Sequence, residues 1–193
     1  TSFKNSYPYL SKVNKFSQIY IFIRTINNLT FNLQCTHCKS VYLLLKKINM
    51  QKVVFIDGVR TPFLKSGTDY MDLMSYQLGQ FAIKGLLDKT GIDVNEVDRV
   101  IYGNVISNVR TENVAREAAV TAGIPVKAPA NTVKQACISA NQAMCNAVDS
   151  IQLGRADVII SGGTECTSDT PIGYTKEMRK KLFAAQKLST PME

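Results

Sequence analysis

With 193 residues and an ordinary share of apolar side chains, the chain can bury one sizeable core and gives no reason to expect two independent domains. Its longest apolar candidate, Ile19 to Ile23, falls far short of the about eighteen unbroken apolar residues that a membrane-spanning helix needs, which excludes that class. The formal charge of +8 invites a nucleic-acid reading, but its distribution argues against one.

Lys4, Lys12, Lys15, Arg24, Lys39, Lys46 and Lys47 all fall within residues 1–49, which hold no Asp or Glu, whereas the charges nearly balance from Met50 onward. An acid-free, hydroxyl-rich leader has the composition of an organelle transit peptide, although such peptides favour Arg and this one favours Lys. The competing reading is translated upstream sequence ahead of Met50. On either reading residues 1–49 are expected to lack fixed structure. Five cysteines, an odd number with no secretory signal, argue for reduced thiols. Cys35 and Cys38 flank His37 at metal-ligand spacing, but no second pair follows at zinc spacing, so no metal site is expected.

From Met50 the chain alternates strands and helices with short connections, the pattern of an α/β fold. Val53 to Ile56 is a near-continuous apolar run, as a strand covered on both faces requires, and it ends in a turn at Gly58 and Pro62. Asp69 or Asp72 can cap a helix carrying Leu78, Phe81, Ala82 and Leu86 on one face, with Gly91 as its stop. A second strand is expected through Val100, Ile101, Tyr102, Val105 and Ile106. Asn113 then caps a helix ended by Gly123 and Pro125. A short strand over "NTVKQA" leads into Cys137.

Helical spacing resumes at Ser139, with Ala140, Met144, Ala147, Val148 and Ile151 on one face and Gly154 at the end. Val158 to Ser161 makes a fourth strand. Gly162 and Gly163 either end it, the commoner use, or admit close backbone approach. A turn-rich connection and a basic amphipathic segment follow, with Lys176, Arg179, Lys180, Lys181 and Lys187; a solvated face is the simplest reading, with ligand phosphates, a partner subunit or anionic lipid as alternatives.

Cys137 lies between a strand and a helix, where unpaired N–H groups of the first turn point outward and the helix dipole is positive. Both favour a thiolate, the nucleophilic form, more than at a mid-helix position such as Cys145. The Cys137 N–H can also donate toward an oxyanion on an attacked carbonyl. Ala136, Ser139, Ala140 and Ala143 leave room for a substrate to approach. A small buried apolar residue is the competing reading of this cysteine.

"DGVRTPF" after the first strand, "NVAREAAVTAGIP" in the second helix, "ACISANQAM" at the cysteine and "VIISGGTE" on the fourth strand, in this order and spacing, resemble the amino-terminal half of a thiolase. "RTPFLKSGTDY" and "ACISANQAM" are most similar to the long-chain 3-ketoacyl-CoA thiolases of mitochondrial fatty-acid β-oxidation. The resemblance runs from about Lys52 to the end and implies an αβαβα layered fold of two α/β halves. Residues 50–174 would be an incomplete first half lacking its last strand, and 175–193 the start of an inserted loop domain.

By the same resemblance, Cys137 attacks the keto carbon of a 3-ketoacyl-CoA, acetyl-CoA leaves, and the shortened acyl group stays on sulfur until a second CoA takes it. The family implies no permanently bound cofactor, CoA as co-substrate, and a homodimer that in long-chain members joins an α subunit. It further implies a mitochondrial location, whereas the charge distribution argues against nucleic acid as partner and the basic tail from Lys176 to Lys187 leaves peripheral membrane contact open. The general base and acid should be a Gly-His-Pro histidine and a second cysteine in a glycine-rich motif. Neither motif occurs in this chain, whose single histidine is His37. The 193-residue stretch is therefore expected to be marginally stable and catalytically silent alone, with sheet edges and apolar surface exposed. Two other readings stay open: a short-chain acetyl-CoA C-acetyltransferase, and a non-catalytic nucleic-acid or metal-binding module built on the basic leader and Cys35, His37 and Cys38.

Overall fold

A computed structural model describes residues 20–26 and 51–186 of the protein. Strands β1 (Tyr20–Ile26), β2 (Lys52–Val59), β3 (Arg99–Gly103), β4 (Ala130–Val133) and β5 (Val158–Gly163) form one sheet in the spatial order β2, β1, β5, β3, β4. β3 runs parallel to both its neighbours, with Val100 opposite Ala130 on one side and Ile160 on the other. β1 is antiparallel to both of its own, Ile23 pairing with Phe55 of β2 and Ile159 of β5.

β1 comes from the basic leader expected to lack fixed structure, and for residues 20–26 that expectation is corrected. "YIFIRTI" is rich in β-branched and aromatic residues, which suit a strand whatever the charge of the surrounding segment. The remainder of residues 1–49, including Cys35, His37 and Cys38, lies outside the described residues.

Alternation along β3 and β5 divides the core. Val100 and Tyr102 of β3 and Val158 and Ile160 of β5 face one side, where they pack with Ala82, Ile83 and Leu86 of helix α1 (Ser75–Thr90) and Ala115, Ala118 and Ala119 of helix α2 (Val114–Thr121). Ile101 and Ile159 face the other and meet Ala143, Ala147 and Ile151 of helix α3 (Ser139–Gln152). Helices thus lie on both faces of the sheet, and β5 is buried along its whole length. The apolar stripe of α3 sits slightly round from its expected place: Ser139, Ala143, Ala147, Ser150 and Ile151 are buried, while Met144 and Val148 flank them. Among the described residues, no helix is long and apolar enough to cross a membrane.

Three further expectations change. Neither Asp69 nor Asp72 caps α1; the cap is Met74, whose N–H donates to Gln77 Oε1 at 2.8 Å, and Gly91 closes the helix in the left-handed conformation as expected. β3 stops at Gly103, so Val105 and Ile106 belong to the following loop. β2 is not covered on both faces, for Phe55 and Ile56 are 56% and 47% exposed. Phe55 lines an apolar surface groove with Met144, Cys145 and Val148 of α3. Asp57 and Lys89 tie β2 to the end of α1 at 2.6 Å, and the lysine hydrogen bond holds the aspartate below the usual carboxylate range.

The tightest packing lies where the first turn of α3 crosses the end of β3. A Cβ added at Gly103 would fall 2.3 Å from both the Ser139 carbonyl carbon and the Ala140 nitrogen, closer than backbone atoms can give way. At Gly85, inside α1, an added Cβ would meet nothing within 4 Å. In chemical denaturation, Gly103→Ala is expected to cost about 3 kcal/mol or more through overpacking, whereas Gly85→Ala should gain up to about 1 kcal/mol through helix propensity.

Candidate functional site

Three parallel strands, β4, β3 and β5, end at one edge of the sheet, the edge where α/β folds collect ligands. Beyond β4 the chain makes an exposed turn over Gln135 to Ile138 and enters α3 at Ser139, so Cys137 stands just before the helix. It is exposed. Ala136 has φ 47°, the one non-glycine residue in the left-handed region among those described. Ser139 is 2% exposed; its Oγ accepts from the Gln135 N–H at 2.8 Å and donates to the Ala136 carbonyl at 2.6 Å.

The floor beneath this turn is made of backbone. Besides Gly103, Gly163 at the end of β5 sits so close that an added Cβ would lie 2.8 Å from the Ala140 Cβ and 3.0 Å from the Gly103 oxygen. Gly163 therefore serves close approach while also ending its strand. Thr164 N–H donates to the Gly103 carbonyl at 3.0 Å, and Asn104 N–H to the Val133 carbonyl at 3.1 Å, linking the three strand ends.

Sequence reasoning missed Glu165. Its Oε2 accepts from the N–H groups of Val105 at 2.8 Å and Ile106 at 3.0 Å, and its Oε1 accepts from Asn104 Nδ2 at 3.2 Å. Together with the Ser75 hydroxyl, which donates to Oε1 at 3.4 Å, these donors fix the loop after β3 to the segment after β5. Farther out, Asp169 receives Arg110 at 2.6 Å and Asn108 Nδ2 at 3.0 Å, fastening the same loop a second time. Lys134, just after β4, bonds the Ser107 hydroxyl.

On the α2 side, Asn113 caps the helix as expected: its Oδ1 accepts from the Arg116 N–H at 3.2 Å and the Thr132 hydroxyl at 2.9 Å, while Nδ2 donates to the Ala130 carbonyl at 3.0 Å. Thr132 Oγ1 in turn accepts from the Ala115 N–H at 3.1 Å. The strand leading to Cys137 is thereby registered against α2. Arg116 reaches the carbonyls of Ala128 and Val126 at 2.9 and 3.0 Å, a structural role. Burial pushes Glu117, also on α2, above the usual carboxylate range.

The other described cysteines are placed differently. Cys166 is buried, its thiol donating to the Leu73 carbonyl at 3.1 Å. Cys145 is exposed in mid-helix on the apolar groove. Among the described residues, no group of three or more His, Cys, Asp or Glu side chains could hold a metal ion. Lys176, Arg179, Lys180 and Lys181 lie on helix α4 (Lys176–Ala185), which buries no residue, and Lys187 lies outside the described residues.

Residues 53–191 match the family model described as "Thiolase, N-terminal domain". The trifunctional enzyme subunit beta, mitochondrial, of Homo sapiens is 52% identical over 143 residues, which cover 74% of this chain and 30% of that protein. A probable 3-ketoacyl-CoA thiolase of Caenorhabditis elegans is 46% identical over 141 residues, 73% of this chain and 32% of that protein. Among solved structures, the Bacillus anthracis acetyl-CoA acetyltransferase superposes with a TM-score of 0.56 at 30% identity, over 58% of this chain and 28% of that one. The chain spans about a third of the length of the curated relatives it matches.

The three placements make a labelling prediction. In the native chain a maleimide should modify Cys137 and Cys145 and spare Cys166 until denaturant is added, as read by peptide mass mapping. Equal native labelling of Cys166 would contradict its burial.

Proposed function

Because the chain belongs to the thiolase family through its amino-terminal domain, we propose that Cys137 is the acyl-accepting nucleophile of a 3-ketoacyl-CoA thiolase. What supports the role is its position: an exposed thiol, on a fixed turn, at the shared edge of three parallel strands and directly ahead of a helix. The Cys137 sulfur adds to the keto carbon and the bond between the second and third carbons breaks. Its electron pair leaves on the acetyl-CoA fragment as an enolate, which takes up a proton. The acyl group now on sulfur passes to the thiol of a second CoA, which gives up its proton and regenerates Cys137. A developing oxyanion would take the Cys137 N–H as one donor. The base and acid of these steps belong to parts of the relatives' length that this stretch does not match.

The substrate class follows the relatives' names, and identity of 52% to a trifunctional subunit beta against 30% to an acetyl-CoA acetyltransferase favours the long-chain over the short-chain reading. On that reading the complete protein is mitochondrial, dimerises, works beside an α subunit, and uses CoA as co-substrate with no resident cofactor. Peripheral membrane contact would fall to basic surfaces such as α4. Residues 50–174 form the half-domain and 175–193 open the inserted segment, in keeping with an α4 that buries no residue.

Exchange with a long-chain acyl-CoA tests the nucleophile alone, since the acyl group moves from CoA sulfur to Cys137 sulfur and free CoA departs. In the polypeptide extended to its relatives' length, an acyl adduct on the peptide bearing Cys137, absent in Cys137→Ser, is the expected result. In that polypeptide, Cys137→Ser should also lower thiolysis by about 1000-fold or more. An adduct on Cys145 instead, or unimpaired turnover, would sink the assignment.

A further inference from the structure

Resting on the reading of Cys137 as nucleophile, we infer that Ser139 is a positioning residue for its thiol, acting through the strained Ala136. The left-handed conformation of Ala136, φ 47°, is strained for an alanine and persists only where neighbours over-determine it. The neighbour is Ser139. Its hydroxyl spans the turn, accepting from Gln135 N–H at 2.8 Å and donating to the Ala136 carbonyl at 2.6 Å, so it grips the peptide before Gln135 and the peptide after Ala136 and fixes the two residues between them. Backbone bonds from Ser139 N–H to the Ala136 carbonyl at 3.1 Å and from Ile138 N–H to the Gln135 carbonyl at 3.2 Å complete the turn.

The post itself is immobile. Ser139 is 2% exposed, whereas Gln135 through Ile138 are all exposed, so the buried hydroxyl is the anchor of a solvent-facing tip. Its backbone is seated on β3, where a Cβ at Gly103 would lie 2.6 Å from the Ser139 oxygen. Both hydrogen bonds of this hydroxyl run to the turn that carries Cys137, and neither runs to the core. An alanine would fill the same space, so the oxygen serves the shape of the turn. Ala136 is the pivot: were it glycine, the left-handed conformation would need no clasp.

The Ala136→Gly substitution separates positioning from mere stability. The 193-residue chain is treated with iodoacetamide and the polypeptide extended to its relatives' length with a long-chain acyl-CoA, and modification of Cys137 is followed by mass spectrometry with Cys145 as reference in the same molecule. Ser139→Ala should lower the Cys137 to Cys145 alkylation ratio and the rate of acyl uptake, each by about tenfold, while Cys166 stays protected. Adding Ala136→Gly to Ser139→Ala should restore most of both. An unchanged alkylation ratio in Ser139→Ala overturns the inference. So does a loss that Ala136→Gly fails to restore, or one accompanied by Cys166 labelling, since either marks a general structural role. If the unaltered extended polypeptide takes no acyl group yet Ser139→Ala still lowers the alkylation ratio, the clasp stands and the nucleophile assignment falls.

Discussion

Everything at the candidate site depends on how closely the first turn of α3 approaches the sheet. That contact is backbone against backbone, with Gly103 on β3 and Gly163 on β5 leaving no side chain between the strand ends and Ser139 and Ala140. Without it, the helix could not start where it does, Ser139 would have no seat, and the exposed turn would have no anchor. The large core on the α1 and α2 side, with Ile83, Leu86, Tyr102 and Ile160 almost wholly buried, gives the sheet the stiffness to hold such an approach.

Rigidity is also imposed from the loops. Glu165 and Asp169, both following β5, collect donors from Asn104 to Arg110, so the loop after β3 has little freedom of its own. Asn113 and Thr132 do the corresponding work between α2 and β4. Cys137 is thus presented by a short strained turn set within a braced frame, an arrangement suited to holding its sulfur within narrow limits.

Much of this was legible in the chain. β5 and α3 announce themselves through Val158 to Ile160 and through the spacing of Ala143, Ala147 and Ile151, because period two and period 3.6 survive in any context. Asn113 was legible as a cap because capping is local. The position of Cys137 ahead of a helix was legible for the same reason. The cap of α1 was not, since Met74 has no capping side chain and the reciprocal bond comes from Gln77 instead. Glu165 was invisible because its partners lie about sixty positions away. Gly103 reads as punctuation in one dimension and as a contact surface only in three. Ser139 was read for its small size, whereas its hydroxyl is what matters to the turn.

β1 was overlooked for a different reason: charge and the absence of acids drew attention away from seven residues with strong strand character. Its place in the sheet has a practical meaning for anyone preparing this protein. β2 touches the rest of the sheet through β1 alone, so a polypeptide begun at Met50, the natural choice from the family match, would strand β2 with no ladder partner and open both β1-facing backbones to whatever extended segment arrives first.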